Sequence, residues 1–364
     1  MGVFYFIFVC ILLLGFIEKL SNKRNTRLSI CLFLFFLLTF VMGFRAIDYA
    51  GVDTIVYVSD FERITEFNLS YSQIFTEFYK DYFFYLAAKT FTLFCTDANI
   101  WLLFCSSIYI GSVSWLIYKY SPSVWLSYLL FVGWDFYVYN FQLVRHTWSL
   151  AFVIVSFVFI LDRNIKKYAI SMLLAITSQI TSFISLVSYF IVGIRVKKMV
   201  KLLPMLVLAL VFIISLGRNV VMKWMFTFSF LAGDDRLSAF NGAKGGQMSN
   251  FIISLVFLVF SSYEVMKHQN AMNSKELMLA NTTLKITVFG VVFFSLQFVI
   301  AEFYRVAQYF AIFNVILLPV ALKLENNKFI RNTLYLLVVA YMIKHFFGGV
   351  IGSPFYDPYI FYWE

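Results

Sequence analysis

The sequence predicts an all-α integral membrane protein of about twelve transmembrane helices, with further helices lying at the interface in a large first outer loop. Three observations predict it. Hydrophobic residues make up 62% of the 364 and charged ones 13%, with 46 phenylalanines and a mean hydropathy of +0.83. That is too little polar surface to clothe a water-soluble globule. Residues 28–44, 149–161 and 202–216 carry no charge at all; they are apolar throughout rather than alternating, which excludes the strands of a membrane β-barrel. The formal charge of +10 could point to nucleic acid, but the lysines and arginines cluster in short loops between apolar segments. That pattern is topology by the positive-inside rule, and no nucleic-acid partner is expected.

Taken in order, residues 2–17 have no basic region ahead of them and no small-residue cleavage site behind, so they read as a retained span rather than a signal peptide. Five basic groups then fix the inner side: Lys19, Lys23, Arg24 and Arg27; Arg163, Lys166 and Lys167; Arg195, Lys197, Lys198 and Lys201; Lys267 and Lys275; Lys323, Lys328 and Arg331. The connections at 45–81, 139–146, near Gln179, 218–250, 301–305 and the C-terminal tail therefore face outward. The whole chain, 1–364, reads as one polytopic domain with outer loops at 45–98 and 218–250. This topology requires that residues 82–93 do not cross: they are too few for the ~20 that a spanning helix needs, and they follow an amphipathic stretch from Asp60 to Lys80. It also requires a hairpin within 168–194, whose two flanks are both basic, with its turn at Ser178, Gln179, Ile180 and Thr181. Cys10, Cys31, Cys95 and Cys105 lie in or beside apolar segments without metal-ligand spacing, so neither disulfides, nor a metal, nor a cofactor is expected.

Function is expected on the outer face, where the few charges flank apolar walls. Residues 45–81 hold seven acids against three bases. Arg45, Asp48 and Asp53 sit around Gly51 directly after a span; Asp53 could deprotonate a hydroxyl, or cap a helix. Tyr137, Tyr139, Asn140, Gln142, Arg145 and His146 precede the apolar run 147–161. The fork of Arg145 could grip a phosphate pair or snorkel to headgroups, and His146 could exchange protons near neutrality. Gln179, Thr181 and Ser182 mark the hairpin turn. Arg305 and Tyr309, spaced i, i+4, share a helix face, where Arg305 could equally pair with Glu302. Asp234, Asp235 and Arg236 form a charged turn in the second outer loop.

In order and spacing these groups resemble the EpsG-like and Wzy-type bacterial polysaccharide polymerases, among the membrane-embedded glycosyltransferases of the GT-C kind. Arg45, Gly51 and Asp53, with Tyr57 following, match that family's Arg-x-x-x-x-x-Gly-x-Asp-like segment after the second span. Arg145 matches the arginine of its Asn-x-x-Arg-Gln segment, with Gln142 and His146 at the Asn and Gln positions. Gln179-Ile180-Thr181 stands at its His-x-Ser-type turn and departs at the histidine; Arg305 and Tyr309 match its late Arg and Tyr. The resemblance implies an O-antigen, capsule or exopolysaccharide polymerase in the bacterial inner membrane. It would join repeat units carried on undecaprenyl diphosphate at the periplasmic face, inverting the anomeric carbon, and its partners would be lipid-linked donor and acceptor, membrane lipid and a chain-length regulator. Asp53, Arg145, His146 and Arg305 would be catalytic; Arg45, Tyr57, Tyr139, Gln142, Gln179, Thr181, Arg236 and Tyr309 would bind substrate. Two other classes compete. A flippase for the same lipid-linked sugar needs a polar passage through mid-membrane, and the spans hold little beyond Ser, Thr and residues such as Gln297. A membrane O-acyltransferase is built on an embedded histidine, and neither His268 nor His345 has a comparable setting.

Overall fold

A computed structural model describes residues 1–364 except 22, 50, 79, 195, 197–247 and 299–300. The apolar run 202–216 and Arg236 of the expected second outer loop lie outside the described residues. The described residues are helical, with no strand among them. The helices are α1 (Gly2–Leu20), α2 (Arg24–Gly43), α3 (Val52–Glu66), α4 (Tyr71–Glu77), α5 (Tyr82–Phe91), α6 (Ala98–Tyr120), α7 (Val124–Gly133), α8 (Val144–Leu161), α9 (Ile165–Ser178), α10 (Val187–Ile191), α11 (Met248–Lys267), α12 (Ser274–Leu296), α13 (Phe303–Ala311), α14 (Asn314–Leu324) and α15 (Lys328–Val350). Among them 7 are long and apolar enough to cross a membrane, α1, α2, α6, α8, α11, α12 and α15; the pair α13 and α14, bent by 43° at its break, makes up to 8. The chain is an integral membrane protein of all-α architecture. Two compact units are distinguished within it, Met1–Leu186 with Leu318–Glu364, and Val187–Leu317.

In the first unit α2 packs on α6, α6 on α8, α8 on α9, and α7 on both α1 and α15. The approach of α2 to α6 is close because Gly43 faces Leu103, where a Cβ would come within 2.7 Å of the Leu103 backbone. All ten residues of α7 are buried, as expected of a helix apolar all round, but at ~15 Å it covers about half the hydrocarbon thickness. Aromatic residues continue past it, Trp134, Phe136, Tyr137 and Phe141, all buried, but Asp135 among them takes the left-handed region (φ 52°) and pairs with His345 (3.2 Å), and the backbone does not continue as a helix. Non-helical backbone at depth must find hydrogen bonds inside the protein, and side chains supply them. Tyr109 donates to the Phe136 carbonyl (2.7 Å), which Asn140 Nδ2 also reaches (2.8 Å). Tyr137 in turn donates to the Leu38 carbonyl of α2 (2.7 Å). A single short helical turn, Tyr139–Phe141, then leads into α8.

Residues 45–98, expected as the first outer loop, form three helices of 15, 7 and 10 residues. α4 is closed by a capping box between Ser70 and Gln73. α5, at ~15 Å, is too short to cross alone. Phe67, Phe75, Leu93 and Phe94 are exposed around these helices, which suits a membrane interface. Their inner faces join an aromatic cluster in which Phe61 stacks on Trp101 (5.5 Å, 7°) and Phe84 meets Trp148 edge-on (5.7 Å). The loop is thereby fastened to the starts of α6 and α8. The expected hairpin is present: α9 ends at Gln179, which is extended, and the following turn of helix, Ile180–Leu186, runs back along it, with Tyr168 donating to the Leu186 carbonyl (3.3 Å).

In the second unit α12 packs on α11 and α13, and Phe293 stacks on Phe303 and Phe310. Asn314 Nδ2 donates to the Ala311 carbonyl (3.0 Å) at the break before α14. Lys285, in mid-α12, donates to the Val192 carbonyl (2.7 Å).

Glu18 of α1, 5% exposed, accepts the first backbone N–H groups of α7, from Val124 and Trp125, at 2.9 Å each. A carboxylate at a helix N-terminus satisfies orphan donors and complements the dipole. Glu18→Ala should therefore lower stability by roughly 2–4 kcal/mol, read as a drop in melting temperature of the purified protein; an unchanged melting temperature would show that α7 needs no cap.

Candidate functional site

The end of the first unit where α2 finishes and α8 begins gathers most of the charged side chains singled out above. Helix α8 begins at Val144, three residues before the apolar run, so Arg145 lies inside its first turn. A cation there opposes the helix dipole and needs a counter-charge. Asp81 provides it: its Oδ2 is 3.0 Å from the Arg145 guanidinium, and its Oδ1 accepts the backbone N–H of Ile180 (2.9 Å). Asp81 is held in the left-handed region (φ 60°) immediately before α5, so one carboxylate joins the start of α5, the hairpin turn and the start of α8. Arg145 Nε also donates to Gln179 Oε1 (3.1 Å), and its other edge reaches the Tyr85 hydroxyl (3.3 Å). Tyr85 donates onward to Asp60 (2.9 Å), and the Tyr57 ring lies 5.5 Å from the guanidinium carbon. Burial pushes the Asp60 carboxyl above its ordinary range, against the opposing pull of Tyr85, Arg145 and Arg63.

The first-loop motif meets the same region from the other side. Gly51 opens α3 with φ 91° and sits against Gln142, where a Cβ would lie 2.6 Å from the glutamine side chain; only glycine accommodates both the torsion and the contact. Thr54, fully buried, donates to the Phe141 carbonyl (3.1 Å). Arg45 is 2% exposed, and its guanidinium donates to the carbonyls of Met42 and Phe141 and lies over the Phe141 ring (5.5 Å). Burial lowers its pKa to about 10. The C-terminal tail closes over this position, with Ala46 N–H donating to the Ile360 carbonyl (2.9 Å) and Tyr362 N–H to that of Phe44 (3.1 Å). Arg45 thus holds backbone to backbone at the edge of the site.

Arg145, Gln179 and Tyr57 come together, and Gln142 and Gly51 touch beside them. Asp53 lies part-buried in the first turn of α3, on the helix that carries Tyr57 and Asp60 at the i+4 and i+7 positions. Tyr139 is part-buried on the turn before α8, and Thr181 is exposed just beyond Gln179. His146, 1% exposed, is turned into the bundle. Arg305 and Tyr309 belong to the second unit: Arg305 pairs with Glu302 (3.2 Å), and Tyr309 is fully buried. Three members of the Arg145 cluster, Asp60, Asp81 and Tyr85, were missed by sequence reasoning. The i, i+4, i+7 series of Asp53, Tyr57 and Asp60 was a readable signal for one of them.

Two outcomes follow from this geometry. Gly51→Ala should cost on the order of 1–3 kcal/mol from the positive φ alone, with further loss from the Gln142 clash; protease cleavage of the first loop should rise, and unchanged cleavage would separate Gly51 from that docking. Because the folded-state pKa of Asp60 is raised, its contribution is favourable below the ordinary value of 3.8 and is lost as pH climbs through its folded pKa. Asp60→Asn should therefore remove that part of the decline between pH 3.8 and neutrality in a melting series, whereas a steeper decline would reverse the sign assigned to its burial.

Residues 28–362 match the family model described as the EpsG family. No curated protein and no solved structure matches the chain.

Proposed function

The chain belongs to the EpsG family, and from that premise we propose that it is a polysaccharide polymerase which joins oligosaccharide repeat units at the outer face of the bacterial inner membrane. The family's association with polysaccharide biosynthesis supports the class of reaction. The observation that carries the reading to this site is the Arg145 cluster, a guanidinium set among two tyrosines, an amide and a carboxylate at the mouth of a span.

In this proposal the donor is a glycan on undecaprenyl diphosphate and the acceptor a second lipid-linked glycan. The acceptor hydroxyl gives its proton to the Asp53 carboxylate and its oxygen attacks the donor's anomeric carbon, while the bond from that carbon to the diphosphate oxygen breaks. The configuration inverts, and the lipid diphosphate leaves with the bonding electrons. Diphosphate departs without prior protonation, so the chemistry asks for cations rather than a general acid. Arg145 is the first candidate to hold it and Arg305 a second, each by a planar fork that a point charge does not replace. An arriving phosphate would compete with Asp81 for Arg145. Asp53 is preferred to His146 as base because Asp53 retains some exposure while His146 is enclosed.

In a strain lacking the gene, surface glycan should stop at a single repeat unit, and the wild-type gene should restore the ladder. Asp53→Asn should reduce polymerisation by about 10²–10⁴-fold, and Arg145→Lys and, separately, Arg305→Lys should shorten the ladder at matched protein levels. Loss of all surface glycan with inward-facing intermediate accumulating would instead make the protein a flippase, and full activity of Asp53→Asn would remove it from the mechanism.

A further inference from the structure

A cavity of ≈ 310 Å³ opens in the first unit, lined by Glu18, Lys19, Trp125, Lys323, Arg331 and Tyr335 among others. It lies where α1 and α14 end and α7 and α15 begin, the end of the helices that carries the basic loops. Three cations line it against one carboxylate. Both oxygens of that carboxylate are already engaged by the N-terminus of α7, and the side chain is buried, so Glu18 is directed at the helix and not at the three bases. Arg331 is steadied by a bond from one terminal nitrogen to the Glu325 carbonyl (3.3 Å), in the turn between α14 and α15. Trp125 and Tyr335 stack at 6.0 Å (26°) to make an aromatic side. A planar guanidinium with two ammonium groups is the donor set of a phosphate site, and its volume falls at the small end of ligand pockets, ~300–1,000 Å³.

We propose that this cavity binds a phosphate group, and that the phosphate is carried by an anionic membrane phospholipid whose headgroup enters while its acyl chains stay outside. A volume of this size suits a headgroup. Basic pockets between helix ends on the inner side of a membrane are suited to such headgroups, and the aromatic side favours the boundary between headgroup and hydrocarbon.

The test uses the full-length protein, delipidated and reconstituted into nanodiscs of phosphatidylcholine alone or of phosphatidylcholine with phosphatidylglycerol, with retained lipid read by native mass spectrometry. Phosphatidylglycerol should be retained selectively. Lys19→Gln, Lys323→Gln and Arg331→Gln together should weaken retention by up to about a hundredfold, the sum of roughly 1 kcal/mol for each cation. The same charge change away from the cavity, at Lys23, Lys166 and Lys167, should do far less. Should the triple variant fail to fold, Arg331→Lys alone, which keeps the charge and loses the fork, should still retain less lipid than wild type. A second arm titrates inorganic phosphate onto the delipidated protein: saturable binding that the cavity variants abolish, without lipid selectivity, would support the phosphate site and overturn its assignment to lipid. Equal retention of both lipids with no phosphate binding, or equal losses in the cavity and control variants, would overturn the proposal.

Discussion

The first unit depends on one constraint: backbone that leaves the helix at depth must be hydrogen-bonded inside the protein. α7 stops after ten residues, and the chain from Trp134 to Leu143 reaches the start of α8 without regular helix. Tyr109 and Asn140 converge on the Phe136 carbonyl, and Arg45 and Thr54 on that of Phe141. Because Arg45 and Thr54 come from either side of Gly51, the bonds that make this irregular backbone tolerable also fix the loop after α2 against it. The position of Arg145, two residues beyond Leu143, follows from that docking.

The same economy shapes the electrostatics. A cation in the first turn of α8 is unfavourable by its dipole, and Asp81 answers it while also accepting the Ile180 N–H. One ion pair therefore joins three segments far apart in the chain. Side-chain exposure of 19% for Arg145 and 5% for Asp81 puts the pair under cover without sealing it, a setting in which removal of either partner leaves a poorly hydrated charge. Tyr85 extends the network to Asp60, whose raised pKa reflects burial outweighing the nearby arginines.

Much of the architecture was legible in the sequence, for reasons that can be traced to particular residues. α2, α8 and α6 are long apolar runs whose composition alone requires a membrane. The hairpin at Gln179 was legible because both of its flanks are basic, and the short α5 because its apolar run is too brief to cross. The half-length α7 was not read from the sequence, although Asp135 between Trp134 and Phe136 puts a charge just past its end; hydropathy does not register where backbone hydrogen bonds go. Arg145, Tyr57 and Gln179 were chosen from the sequence and are neighbours in space. Asp81 was not, because its partner lies on another helix and its own surroundings, Lys80 and Tyr82, read as an ordinary loop. Arg45 was legible as an important position, while its direction, inward onto carbonyls, was not.

The most direct measurement is reconstitution of the purified protein into liposomes with defined lipid-linked repeat units as the only glycan. Products of increasing length are expected, with one lipid diphosphate released for each new linkage and with inverted anomeric configuration at the joined sugar. Movement of intact lipid-linked repeats across the bilayer, with no new glycosidic bond and no lipid diphosphate released, would contradict polymerisation.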